Sequence, residues 1–190
     1  FFDDCSPGVV EAVDEALAEL TAAGATVRTL ELPEVIDAYE LFLTGGPVAA
    51  ELHHFLTTEL PDWIETLDPN VKARIEGAGA LSAMEYIDRR ERMSRLAASI
   101  DERLAEVDAL VTPTVANCPP RLTDIQTPES YRAQNVLSLR NTSVVSYLGL
   151  CAVTLPVGLD AAGLPVGLQL VGRANSEPAL LAIAKASEMI

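Results

Sequence analysis

Apolar residues recur every three or four positions along several stretches of the chain, which is the spacing of amphipathic α-helices. The first stretch begins with Val9 and Val13, shortly after Ser6-Pro7, and Gly24 stands just beyond its last turn. It predicts a helix that Ser6 caps and a glycine ends. The same spacing predicts helices over residues 34–60 with a break near Gly45-Gly46-Pro47, from Asp68, over 83–106 behind Ser82, from Thr127 to about Leu139, and over 177–189.

Four short apolar runs, bounded by turn residues, have the composition of β-strands. They are residues 25–32, 108–114, 150–159 and 165–173. The last two flank the turn sequence DAAG, and Pro156, which has no N–H to donate, predicts a bulge or interruption in the third run. Because helices and strands alternate, the sequence predicts an α/β domain with helices layered around a mixed sheet.

Length and charge narrow the classes of function. The chain has 190 residues, which is enough for one domain with a sizeable core. Its net charge of −15 disfavours binding of this chain to nucleic acid, because a phosphate backbone would be repelled. No apolar stretch reaches the ~20 residues that cross a membrane, so no membrane association is expected.

The sequence contains no motif for a nucleophile, a phosphate loop or a metal site. The patterns G-x-S-x-G and H-E-x-x-H are absent, and the three cysteines are widely spaced, which fits a reducing cytoplasm. His53 and His54 are adjacent, so their side chains diverge on a helix and do not form a ligand pair. Cys151 has no helix start or His nearby to activate it, and a small buried apolar role is expected. No metal and no cofactor are predicted.

The stretch over residues 142–173 resembles the C-terminal signature of the amidase signature family of serine hydrolases. That family carries T-x-x-x-N-x-x-G-x-P-A-x-S-x-P-x-G, then a turn, then G-L-P-x-G-L-Q-L-x-G. The first half reads TSVVSYLGLCAVTLPVG here, with Ser146 where the family often has Asn and Cys151 where it often has Pro. The second half reads GLPVGLQLVGR and is a close match.

Earlier segments resemble preceding blocks of the same family, so the resemblance covers the whole chain. In the family, a catalytic Lys, a Ser on a cis peptide and the nucleophilic Ser all lie upstream of these blocks. The lysines of this chain, Lys72 and Lys185, stand in a different context, and no catalytic residue is carried over. The resemblance implies that residues 1–190, which open on Phe1 without a Met, are the C-terminal portion of a single amidase domain whose catalytic core is absent.

For the longer protein, the resemblance implies hydrolysis of a carboxamide to a carboxylate and ammonia through an acyl-enzyme on serine. Its partner would be a small-molecule amide in the cytoplasm, and a homodimer is compatible with the family. Two alternatives stay open. One is the glutaminase-type subunit of an aminoacyl-tRNA amidotransferase, which carries an acid near the position of Arg140. The other is a non-catalytic remnant or interaction module.

Arg92 is the candidate substrate-binding residue. In some family members an Arg that follows the Tyr of the long-helix block faces the pocket, and Arg92 matches that spacing from Tyr86. The alternative is a solvated helix face on which Arg92 pairs with acids such as Asp88 and Glu91.

The glycines of the signature are expected to serve packing. Residues 152–155 and 166–171 are predicted as neighbouring strands in the interior of the sheet, with 160–163 as the exposed turn between them. Gly163 is expected at positive φ in this turn. Gly167 is expected to let another part of the protein approach the strand closely.

Overall fold

The computed structural model describes residues 1–188, which form seven α-helices and three β-strands. The helices are α1 (Val9–Ala22), α2 (Pro33–Leu43), α3 (Val48–Glu59), α4 (Pro69–Glu76), α5 (Ala83–Leu104), α6 (Pro128–Tyr147) and α7 (Glu177–Ser187). The strands are β1 (Leu110–Pro113), β2 (Cys151–Leu159) and β3 (Pro165–Gly172). The last helix was predicted to reach Met189, which lies outside the described residues.

The three strands form one sheet in the order β1-β3-β2, and both ladders are antiparallel. A short turn joins β2 to β3, and strands joined in this way pair antiparallel. The α/β architecture is confirmed, whereas the predicted mixed sheet is antiparallel throughout the described residues. β3 is central as predicted, but β2, which holds residues 152–155, is an edge strand of this sheet. The register shifts between Pro156 and Gly158, which confirms the predicted bulge.

One hydrophobic core lies on the face of the sheet that α1 and α7 cover. Val166, Leu168 and Leu170 alternate along β3 and pack in one cluster with Val13 of α1 and Leu180 of α7. All five side chains are buried. The apolar residues of the C-terminal signature therefore supply this core, as the sequence indicated.

A second core lies between α2, α5 and α6. Its central side chains are almost completely buried: Ala38, Ile100, Leu104, Val144 and Leu148. The last two lie at the end of α6, which runs to Tyr147 rather than ending near Leu139 as predicted. The hydroxyls of Thr142 and Ser146 donate to carbonyls one turn earlier in this helix. Polar residues beyond the predicted end of the helix are thus accommodated within it.

The first helix begins two residues later than the predicted Ser6 cap. Gly8 is its N-cap residue with φ at 91°, and a Cβ there would clash with the backbone nitrogen of Ala161. A glycine is required because the start of α1 presses against the β2–β3 turn. Ser6 instead contacts the segment that follows β1: its N–H donates to the carbonyl of Ala116, and its hydroxyl accepts from the N–H of Cys118.

Residues 25–32 are not a strand, although their composition predicted one. They form no regular secondary structure, are mostly exposed and pair with no strand of the described chain. Leu30 and Leu32 pack against the second core, and the guanidinium of Arg28 donates to the carbonyl and the carboxylate of Glu106. A strand needs a hydrogen-bonded neighbour, and composition alone does not supply one.

The predicted caps at three other helices are confirmed. The side chains of Asp68, Ser82 and Thr127 each accept a hydrogen bond from a backbone N–H in the first turn of α4, α5 and α6. The break between α2 and α3 falls at 44–47, also as predicted.

Asn141 of α6 joins the chain start to β1 and is fully buried. Its Nδ2 donates to the carbonyl of Phe1 at 3.1 Å and to that of Pro113 at 2.7 Å. Arg140 donates from Nε to the Oδ1 of Asn141 and from a terminal nitrogen to the carbonyl of Phe1. These bonds fix the end of β1, from which the loop to the candidate site departs.

Candidate functional site

The family-like segments meet at a cleft of about 340 Å³ where the β2–β3 hairpin turns and α1 begins. The blocks that contribute are far apart in sequence: the residues after β1, the two halves of the signature, and the first turn of α1. The polar and small residues that line the cleft include Thr114, Asn117, Cys118, Thr154, Asp160 and Gly167. This convergence makes the cleft the candidate functional site of the described chain.

Gly167 lies between two threonine side chains in the wall of the cleft. A Cβ added there would lie 2.7 Å from the Cγ2 of Thr154 and 2.8 Å from the Oγ1 of Thr114. The two threonines are themselves hydrogen-bonded, with 3.2 Å between their hydroxyl oxygens. The prediction that Gly167 permits close packing is confirmed, and the neighbours are side chains from β2 and from the residue that follows β1.

Asp160 organises the turn between β2 and β3. Its Oδ1 accepts hydrogen bonds from the N–H groups of Ala162 and Leu164, both at 2.8 Å, and its Oδ2 accepts from the thiol of Cys118 at 2.5 Å. Hydrogen bonds from the thiol and from backbone N–H groups hold the pKa of the Asp160 carboxyl below its ordinary value. Gly163 has φ of 79°, which confirms the predicted positive φ in this turn.

The cysteines are not placed as nucleophiles. The thiol of Cys118 donates to Asp160, and this bond together with burial raises its pKa, so the thiolate is disfavoured. Cys151 is half-buried against the first core, and its Sγ donates to the carbonyl of Arg173 at 3.1 Å. The apolar role predicted for Cys151 therefore holds in part, since its sulfur also makes a polar contact.

Asn117 is the most enclosed polar side chain of the loop after β1. It is 8% exposed, and its Nδ2 donates to the Oε1 of Gln134 on α6 at 3.0 Å. Its Oδ1 is buried and has no hydrogen-bond partner among the described residues. The sequence did not predict roles for Asn117, Cys118 or the carboxylate of Asp160, because their partners are 17 to 42 residues away along the chain.

Arg92 lies elsewhere, on the face of α5 that packs against α2. Its guanidinium donates to Asp37 at 2.9 Å and to Glu40 at 3.0 Å, and its side chain is 35% exposed. In the alternative interpretation, Arg92 was expected to pair with acids such as Asp88 and Glu91. Arg92 does form ion pairs, but its partners are Asp37 and Glu40. Arg92 does not line the cleft.

Among the side chains that the structure describes, no three of His, Cys, Asp or Glu lie close enough to hold a metal ion. His53 and His54 lie on α3, and Lys72 pairs with Glu65 at 3.0 Å. None of these basic residues lines the cleft. No described helix has the length and apolar character that a membrane crossing requires.

The fold and the signature segments define an amidase-type α/β protein. The sequence model of the Amidase family matches residues 1–181. The chain therefore belongs to the amidase family, which confirms the resemblance of its C-terminal signature.

Two kinds of relative support this assignment. Over all 190 residues the chain is 41% identical to 2-amino-5-chloromuconic acid deaminase of Comamonas testosteroni, and it spans 41% of the length of that relative. Urea amidolyase of Kluyveromyces lactis superposes with a TM-score of 0.80 at 25% identity, over 96% of this chain and 11% of that one. A crystallised amidase superposes with a TM-score of 0.72 at 29% identity, over 92% of this chain and 40% of that one.

A comparison of two glycine substitutions tests the packing account. Gly167→Val places new atoms against two threonines, and we expect an overpacking loss of about 1–3 kcal/mol in the free energy of unfolding. Gly163→Ala meets no atom within 4 Å, so its expected loss of about 1 kcal/mol comes from positive φ alone. Urea denaturation of each variant measures both values.

A second substitution distinguishes the two causes. Thr154→Ser removes the methyl group nearest to the added Cβ, so it should recover part of the loss in Gly167→Val and none in Gly163→Ala. Equal recovery in both backgrounds, or a neutral Gly167→Val, would contradict close packing at Gly167.

Asp160 predicts a pH-dependent stability. Because its folded-state pKa is lowered, its ionised form stabilises the protein above the unfolded-state value of about 3.9, and this contribution is lost as pH falls through the folded-state pKa. Asp160→Asn should therefore be less stable than the wild type at pH 7, with a difference that shrinks below about pH 4.

Urea denaturation between pH 3 and 7 measures this difference. Cys118→Ser is the matched control, because a hydroxyl can still donate to Asp160 and the pH dependence should persist. A gap between Asp160→Asn and the wild type that stays constant over the whole range would contradict the assigned role.

Proposed function

We propose that this chain is the C-terminal portion of an amidase-family hydrolase that cleaves the C–N bond of a carboxamide and releases a carboxylate and ammonia. The observation that carries this proposal is membership of the amidase family over residues 1–181. The 41% identity to a deaminase over the whole of this chain is further support. The name of that relative describes loss of nitrogen from an organic acid, which fits the release of ammonia.

The proposed chemistry is a Ser-cisSer-Lys mechanism whose three residues lie upstream of this chain. The serine oxygen would attack the carbonyl carbon, the C–N bond would break, and the Lys-linked relay would deliver a proton to the departing nitrogen. Water would then hydrolyse the acyl-enzyme to the carboxylate. In this proposal the cleft of the described chain contributes hydroxyl and amide groups that contact the substrate.

In this proposal the described residues form one wall of the substrate pocket. The packing at Gly167 and the turn held by Asp160 fix the wall, and the loop over 114–119 supplies its polar groups. A wall of this kind contributes orientation of the substrate rather than bond making.

A chimera tests the function. Residues 1–190 would replace the matching 41% of the Comamonas testosteroni deaminase, and ammonia release would be measured with 2-amino-5-chloromuconic acid and with primary carboxamides. We expect turnover by the chimera and none above a blank by the 190-residue chain, because removing catalytic residues typically costs several orders of magnitude.

The control chimera replaces the nucleophilic serine of the upstream half with alanine and should be inactive. Ammonia release by the 190-residue chain alone would overturn the proposal that the catalytic residues lie upstream of it. A folded but inactive chimera would contradict the proposal that this chain serves as the C-terminal portion of such an enzyme.

Arg92 is proposed to bind a carboxylate of the substrate, and kinetics of the same chimera test this role. Arg92→Ala should raise KM for carboxylate-bearing amides about tenfold or more and leave kcat and neutral amides nearly unchanged. Loss of its pairs with Asp37 and Glu40 should cost at most about 1 kcal/mol of stability, since the pairs are partly solvated.

Arg95→Ala is the matched control, because Arg95 is an exposed arginine of the same helix that pairs with Glu91 at 3.6 Å. It should change neither KM nor kcat. Equal effects of Arg92→Ala on charged and neutral amides would reject substrate binding and leave the bridge between α2 and α5 as its role.

A further inference from the structure

The unpaired oxygen of Asn117 is the polar group that the fold leaves unexplained in the cleft. The side chain is 8% exposed, lines the cleft, and uses its Nδ2 to hold Gln134. A buried carbonyl oxygen without a partner is destabilising, so native proteins seldom retain one without a reason. A ligand that supplies an N–H donor would remove this cost.

The loop holds Asn117 in place before any ligand binds. The residues on both sides of it are bonded to Ser6: the carbonyl of Ala116 accepts from the Ser6 N–H at 2.8 Å, and the N–H of Cys118 donates to the Ser6 hydroxyl at 3.1 Å. The main chain at 116–118 is therefore anchored, and a donor meets a largely preorganised acceptor.

The charge of the cleft favours a donor over an anion. Its described lining includes the carboxylate of Asp160 and the hydroxyls of Thr114 and Thr154, and it contains no Lys, Arg or His side chain. An anionic group placed here would find no positive partner and would be repelled by Asp160. A group with several N–H donors, neutral or positive, would find acceptors.

The enclosure of the oxygen limits the size of that group. The Oδ1 of Asn117 is almost closed to solvent in the empty cleft, so a donor reaches it only after a small shift of neighbouring side chains. A tetrahedral ion of the size of water, or the end of a primary amide, requires the smallest shift. A quaternary ammonium, which has no N–H and is bulkier, is excluded on both counts.

We propose that Asn117 binds a small nitrogen donor in this cleft, either an ammonium ion or the NH2 group of a primary carboxamide. This inference rests on the proposed function, because amide hydrolysis consumes a carboxamide and releases ammonium. Asn117 would then be a specificity-determining residue of the pocket wall, through its Oδ1.

Titrations of the protein followed by ¹H–¹⁵N NMR test this assignment. The probes are ammonium chloride and acetamide, with tetramethylammonium chloride and sodium acetate as controls for charge and shape. We expect saturable shifts of the side-chain amide of Asn117 and the backbone amide of Gly167 with the first two probes only. Saturation by acetamide alone would identify the substrate amide as the ligand, and saturation by ammonium would identify the product.

Two leucine variants separate the acceptor from the hydrogen bond that it makes to α6. Asn117→Leu and Gln134→Leu both remove the bond between these side chains, but only the first removes Oδ1. Asn117→Leu should weaken binding about tenfold or more, while Gln134→Leu should retain it within about twofold. Equal weakening in both variants, or no saturable shift in the wild type, would overturn the proposal.

Asn117→Asp keeps the test decisive if Asn117→Leu does not fold. The aspartate preserves the size of the side chain and adds a negative charge, so ammonium should bind several-fold more tightly, with little change for acetamide. Unchanged ammonium affinity would overturn the proposal. Because binding is read without turnover, an inactive chimera that still shows these shifts would reject the proposed function and leave the Asn117 site standing.

Discussion

The carboxylate of Asp160 joins two parts of the chain on which the cleft depends. It accepts two backbone hydrogen bonds within the β2–β3 turn and a third bond from the thiol of Cys118, in the loop after β1. The same turn presses on the start of α1, where the N–H of Ala161 donates to the carbonyl of Pro7 and Gly8 leaves room for the contact. The hairpin, the loop and the first helix are thereby fixed relative to one another.

This arrangement explains why apolar residues, glycines and prolines share one stretch of sequence. Along β3 the apolar side chains point to the core beneath α1 and α7, while Gly167 lies on the opposite face against two threonines. Pro156 coincides with the shift in register that bends the end of β2 toward the turn. The strand residues provide stability, and the interruptions shape the cleft.

A buried polar layer on the other side of the sheet completes the support. Asn141 ties α6 to the end of β1 and to the chain start, and Gln169 donates to the hydroxyl of Thr112 on the neighbouring strand. Satisfied polar groups in a buried layer define one arrangement of the elements, because a slipped arrangement would leave them unpaired. The loop that carries Asn117 therefore leaves β1 in a fixed direction, and the unpaired Oδ1 stands out against otherwise satisfied neighbours.

The sequence by itself determined the features that depend on neighbouring residues. Caps such as Ser82, the turn glycine Gly163 and the hairpin strands were predicted, because their signals lie within a few positions of one another. The signature also identified the family and the packing role of Gly167. Only the tertiary structure decided that residues 25–32 lack a strand partner, that the described sheet is antiparallel, and that the N-cap of α1 is Gly8 rather than Ser6. It alone brought Asn117, Cys118 and Asp160 into one cleft, because hydrogen bonds between distant segments depend on how the elements pack and leave no periodic trace in the chain.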